Sequence, residues 1–112
     1  MADINKAYSL TIGANTWVVD CPRLEHNSST TIQPNTYNSF GSVSGTLTIT
    51  KGIDKPNVAN NYMVRLTATT GVSVIFEGFD LVWYGGYAPT WDEGTTYEIS
   101  IIDNMAIYTE FK

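Results

Sequence analysis

Two alternating runs, Thr96–Ile102 and Met105–Phe111, are separated by a single dipeptide, Asp103-Asn104. Asp and Asn enter positive φ more readily than other non-glycine residues, so this pair suits the two-residue turn of a tight β-hairpin. In the first run Tyr97, Ile99 and Ile101 share one face, with Glu98 and Ser100 on the other. In the second, Met105, Ile107 and Phe111 alternate with Ala106, Tyr108 and Glu110. A hairpin alone is marginal in water, so upstream strands must cover its apolar side.

Such strands are readable along the chain. Residues 8–12 place Tyr8, Leu10 and Ile12 on one face, and residues 17–21 form a second run stopped by Pro22. Residues 43–50 carry apolar side chains or glycine at odd positions and Ser or Thr at even ones, the pattern of a strand with one wet face. Residues 62–68 point Tyr62, Val64, Leu66 and Ala68 inward, and Val72, Val74 and Phe76 share a face before a short run at residues 81–83. No window shows a helical period. Strand signals separated by Gly, Pro or Asn predict an all-β chain, a single antiparallel β-sandwich of jelly-roll type closed by the C-terminal hairpin. The 112 residues make one domain. Residues 22–36 are the longest irregular stretch, with short strands possible at 31–33 and 37–40. Residues 1–42 therefore read as the less regular part and a candidate contact segment, and residues 43–112 as the core.

Charged residues make up only 15% of the chain, so the wet faces must be built from Thr, Ser and Asn. The net charge is −5, and the basic residues Lys6, Arg23, Lys51, Lys55, Arg65 and Lys112 are scattered over the whole length. That spread offers no phosphate-tracking patch, which argues against nucleic acid as a partner. Cys21 is the only cysteine and excludes an internal disulfide. The opening residues lack the basic-then-apolar layout of a signal peptide, and no apolar run approaches membrane-spanning length. The triplet Asn27-Ser28-Ser29 matches a glycosylation acceptor by letter only.

Catalytic chemistry is hard to assemble from these residues. The single histidine, His26, lies in the irregular stretch, where an exposed side chain is the expectation, and one Cys with one His cannot complete a zinc site. Asp92-Glu93 lacks the alternating oxygen ligands of a calcium loop, and Gly85-Gly86 precedes a turn instead of a helix, so it is no phosphate cradle. No pair of carboxylates stands out. The expectation is a non-enzymatic protein without cofactor or metal.

Two features ask for more than a structural reading. Tyr84, Tyr87 and Trp91 fall in one glycine- and proline-broken segment. They are placed to cap one end of the sandwich, to stack on sugar rings, or to fill a neighbouring subunit's pocket. Met63, Ile75, Val82 and Ile102 are apolar residues on nominally wet faces, as expected of contacts in a homo-oligomer or of a second face covered by an N-terminal segment.

The segment from Trp83 to Asp103 adds a resemblance. Its Trp, Gly-Gly, Pro, Gly and Tyr-Glu-Ile-Ser-Ile-Ile (residues 97–102), followed by a strand ending in an aromatic, resembles small β-sandwich domains of tailed-bacteriophage virions. Such domains occur at the ends of head and tail fibres and in capsid decoration proteins. Residues 62–66 and 74–76 fall where that pattern has its preceding strands, so the likeness covers residues 43–112. It implies a structural protein of the virion, commonly a homotrimer, whose partners are the capsid or other virion proteins. It carries no catalytic or ligand residue across. A chain beginning at Met1 without a repetitive or coiled shaft is expected to be a whole decoration, auxiliary or head-fibre protein seated on the capsid shell, with residues 22–36 and the first strands as candidates for the anchoring surface. The tip of a tail fibre and a free carbohydrate-binding module are the rival readings; in both, Tyr84, Tyr87 and Trp91 would meet host glycans.

Overall fold

The computed structural model describes the backbone of residues 6–12 and 15–112 and the side chains from Cys21 onward. Its strands in order are β1 (Lys6–Ile12), β2 (Asn15–Asp20), β3 (Arg23–Glu25), β4 (Thr30–Ile32), β5 (Thr36–Val43) and β6 (Thr46–Lys51). They continue with β7 (Asn61–Ala68), β8 (Ser73–Glu77), β9 (Val82–Trp83), β10 (Thr96–Ile102) and β11 (Met105–Phe111). β1 and β2 form an antiparallel pair. The break at Gly13 and Ala14 and the inward placement of Tyr8, Leu10 and Ile12 lie outside the described residues.

From β3 to β8 the chain alternates between two sheets. β3, β5 and β7 lie side by side in a six-stranded sheet ordered β3-β5-β7-β10-β11-β9, and β4, β6 and β8 make a three-stranded sheet. Every neighbouring pair within each of these two strand sets is parallel. Parallel neighbours need a crossover long enough to return the chain to its starting end. Here a strand of the opposite sheet supplies it, so the backbone winds as a coil of three turns. The hairpin β10–β11 then adds antiparallel to β7, with β9 parallel to β11 at the edge.

The all-β, two-sheet architecture and the C-terminal hairpin agree with the sequence reading, whereas the pairing is mixed, unlike an antiparallel jelly roll. Parallel sheets usually announce themselves by continuous apolar runs because both their faces are covered. The outward positions of β6 are Thr46, Thr48 and Thr50, and that wet face gives a parallel strand the alternation of an antiparallel one. Residues 22–36 also differ from expectation. They form the first turn of the coil, β3 and β4, and Ile32 is buried in the core. Ile32 therefore serves the fold, while Arg23, Glu25 and Thr31 of the same segment stay exposed.

The core between the sheets is made by Ile32, Phe40, Val43, Leu47, Ile49, Tyr62, Val64, Leu66, Ala68, Tyr97, Ile99, Ile101 and Ala106. At one end it becomes aromatic: Tyr62, Phe76, Phe79, Trp83, Tyr97 and Tyr108 meet edge-on or tilted, with ring centroids 5.1 to 6.2 Å apart. Such contacts add to simple burial. Tyr62 keeps its ring in this cluster and donates its hydroxyl to Asp54 Oδ1 at 2.7 Å, while Lys51 Nζ donates to Asp54 Oδ2 at 2.6 Å. Burial and then the bond to Asp54 push the Tyr62 phenol up. The bonds from Lys51 and then Tyr62 hold the Asp54 carboxyl below its usual value.

A carboxylate depressed in the folded state stabilises fully above its unfolded pKa, and that contribution is lost as pH falls through the folded value. Asp54→Asn should therefore flatten the acid limb of the stability–pH curve below about pH 4, read from denaturant midpoints. At the hairpin turn Asp103 and Asn104 sit at φ 48° and 69°, the two positive values of a type I′ turn. Asn104→Gly should hold or raise the midpoint, whereas Asn104→Val should lower stability by about 1–2 kcal/mol.

Candidate protein-docking face

The outer side of the six-stranded sheet is where unexplained side chains collect. Cross-strand partners share a face, so the register defines its rows. One row runs Tyr37, Met63, Ser100 and Ile107, and the next runs Ser39, Arg65, Glu98 and Thr109. Thr67, Thr96 and Phe111 flank them at one end, and Asn61, Ile102, Met105 and Val82 at the other. β3 adds Arg23 beside Tyr37 and Glu25 beside Ser39.

Half of this surface is apolar. Val82, Ile102, Met105, Ile107 and Phe111 are exposed large hydrophobic residues, and Met63 is half-buried beside them. The other half is a charged and aromatic network. Glu98 Oε2 accepts from the Tyr37 hydroxyl at 2.8 Å and from Arg65 Nη1 at 2.9 Å. The Arg65 guanidinium lies 5.4 Å from the centre of the Phe111 ring, and that of Arg23 lies 5.5 Å from the Tyr37 ring. Arg23 Nε also donates to Glu25 Oε1 at 3.1 Å. Partial burial, followed by the bond to Glu98, pushes the Tyr37 phenol up, and the bond to Glu98 raises the Arg65 guanidinium further. Both groups hold their ordinary neutral and cationic forms across any physiological pH.

Of the four residues expected at an oligomer contact, three come together here: Met63, Val82 and Ile102. Ile75 does not. It lies on β8, outward on the three-stranded sheet, beside Thr48. Met105, Ile107 and Phe111, read from the sequence as an apolar set of the hairpin, point outward, and Ala106 and Tyr108 pack inward. The two-residue turn dictates this. It places Met105 opposite Ile102, whose neighbour Ile101 occupies the core.

The aromatic segment divides. Tyr84 follows Trp83, and strand alternation sends Trp83 inward and leaves Tyr84 71% exposed on the side of Val82. Gly85 and Gly86, at φ 84° and 87°, turn the chain there, and Tyr87 beyond them is 79% exposed. Trp91 has a structural role. It packs half-buried on Tyr97 at 5.0 Å and near Phe76 at 6.4 Å, closing the aromatic end of the core. Its φ of 57° is unusual for a bulky residue, and the next residue explains how it is held: the Asp92 N–H donates to the Tyr97 hydroxyl at 2.7 Å.

His26 is half-buried where the sequence suggested exposure. Its Nε2 lies 2.9 Å from Oδ1 of the fully buried Asn38, and its ring packs 5.0 Å from Phe40. Asn38 Nδ2 in turn donates to the Met63 carbonyl and to Thr36 Oγ1, so a buried amide is satisfied on every side. Among the described residues no three His, Cys, Asp or Glu side chains are grouped to hold a metal ion.

Tyr97→Phe should free the 84–92 segment while sparing the sheets. A lost partner for Asp92 N–H costs about 1–2 kcal/mol in denaturant unfolding, and tryptophan emission should shift toward that of a solvated ring. No protein-family model, characterised protein or solved structure matches the chain.

Proposed function

We propose that this is a non-enzymatic structural protein of a tailed-phage virion, a capsid decoration, auxiliary or head-fibre protein, that works by binding other protein surfaces through the outer face of its six-stranded sheet. The observation that carries the reading is the make-up of that face. Protein interfaces are enriched in Arg, Met and aromatic residues and poor in Lys. The chain has two arginines, Arg23 and Arg65, and both lie here, stacked on Tyr37 and Phe111. Met63 and Met105 lie here too, and no lysine falls on any strand of this sheet. An apolar band beside a hydrogen-bonded charged network is the arrangement of a hot-spot centre with a polar rim.

The resemblance of residues 43–112 to virion β-sandwich domains supplies the setting. The face adds a mechanism: adhesion by burial of apolar surface, with no chemistry performed. The exposure of Tyr84 and Tyr87 supports the second reading, glycan contact at a fibre tip or in a free sugar-binding module. Trp91, half-buried against the core, offers that reading less open ring surface than Tyr84 and Tyr87 do.

Co-sedimentation with assembled capsids tests the proposal. Wild-type protein should pellet with the shells, and Ile107→Asp, a charge set into the apolar band, should reduce occupancy at least about tenfold. Unchanged occupancy, or glycan-array binding abolished by Tyr87→Ala, would replace the leading reading with another.

A further inference from the structure

We infer that the outer face of the six-stranded sheet is closed by a second copy of this chain, two sheets stacking face to face about a two-fold axis. The inference rests on the reading of that face as a docking surface and names its occupant in the free protein, a reversible contact that binding to the shell would displace.

Charge is the first argument. The chain carries a net −5, so two copies repel in most orientations. The outer face holds two arginines and two glutamates, Arg23, Arg65, Glu25 and Glu98, and is neutral, leaving the whole surplus to the rest of the molecule. Two identical acidic bodies therefore meet at least electrostatic cost through this face. A basic partner would be drawn to the acidic remainder instead. The paired state of the charges points the same way, because Glu98 is already neutralised by Arg65 and Glu25 by Arg23 within one copy. They can be covered without needing an ion from the partner.

Size is the second argument. β5 and β7 have 8 residues each, β10 and β11 have 7 each, and β3 and β9 have 3 and 2. With strands about 4.8 Å apart and about 3.3 Å of rise per residue, this is roughly 550 Å² of flat sheet, increased by side-chain relief. A standard complex buries about 800 Å² per partner, so the face suffices for a reversible dimer and not for an obligate one. Shape is the third. A sheet face packs on another sheet face about 10 Å away, with strands within about 30° of alignment. A two-fold axis across the strands lays the apolar band of β9, β10 and β11 on its own copy, the self-complementary contact of an isologous dimer.

Sedimentation equilibrium of the full chain, from roughly micromolar to millimolar, tests the inference. Wild-type protein should follow a monomer–dimer equilibrium. Ile107→Asp and, independently, Val82→Asp should weaken the dissociation constant by about thirtyfold or more, with far-UV spectra unchanged. Ile75→Asp, on the other sheet, should leave it unaltered. A monomer throughout, a trimer, or a dimer broken by Ile75→Asp and not by Ile107→Asp would overturn the inference.

Capsid co-sedimentation of the same variants separates the two levels. If the chain is monomeric yet Ile107→Asp abolishes capsid binding, the face docks on the shell and only the dimer is wrong. If the dimer behaves as expected while occupancy is unmoved by Ile107→Asp, the virion role of the face fails and the dimer stands.

Discussion

Strand β7 is the element on which the two halves of the structure depend. One edge pairs parallel with β5, the last strand before it in this sheet, and the other pairs antiparallel with β10. A single strand thus converts a coil built by crossovers into a sheet finished by a hairpin. Its inward residues Tyr62, Val64, Leu66 and Ala68 are all buried, and Leu66 and Val64 face Tyr97 and Ile99 across the ladder. A register slip of one residue would move this whole set to the outside. Burial of the inner face therefore also specifies which side chains the outer face displays, so the core and the outer face are two consequences of one register.

Tyrosines tie that register down at both levels of the sheet. Tyr62 places its ring in the core and its hydroxyl on Asp54, and Tyr97 does the same with the Asp92 N–H. On the outer face Tyr37 reaches across β7 to Glu98. In each case an aromatic body supplies apolar contact while the phenol satisfies a polar group at its margin, which a phenylalanine cannot do. The buried amide of Asn38 belongs to the same logic. Bonded to His26, Thr36 and Met63, it links the first turn of the coil to β7 without leaving an unpaired donor.

Period-two alternation made the inner faces of β7 and β10 legible before any coordinates, because one residue in two is fully apolar along both. It could not reveal strand direction, since parallel and antiparallel strands share that period, and the threonines of β6 imitate an antiparallel wet face. β3 and β4 have three residues each, too few to display a period at all. The outward turn of Met105 and Ile107 was legible in principle. A two-residue turn sets Met105 opposite Ile102, so the two strands of the hairpin had to be read jointly. Tyr84 could likewise be placed by counting from Val82. The place of Trp91 could not be found that way, because it depends on Phe76 and Tyr97, brought together only by the completed fold.

The hairpin β10–β11 is therefore apolar on both sides, with Tyr97, Ile99, Ile101 and Ala106 inside and Ile102, Met105, Ile107 and Phe111 outside. Buried parallel strands in larger proteins share this character because helices cover their second face. This chain has no helix among its described residues except a single turn at Tyr84–Gly86, so no helix of the described residues lies over the outer band. Leaving such a band in water has a free-energy cost and promotes non-specific association, which the neutrality of the face does nothing to oppose. The acidic remainder opposes it: a net charge of −5 keeps the copies apart everywhere except where the charges cancel. Selectivity of contact then needs no elaborate recognition. In the proposed dimer, repulsion over most of the surface and burial at one face would together restrict association to the geometry in which that face is covered.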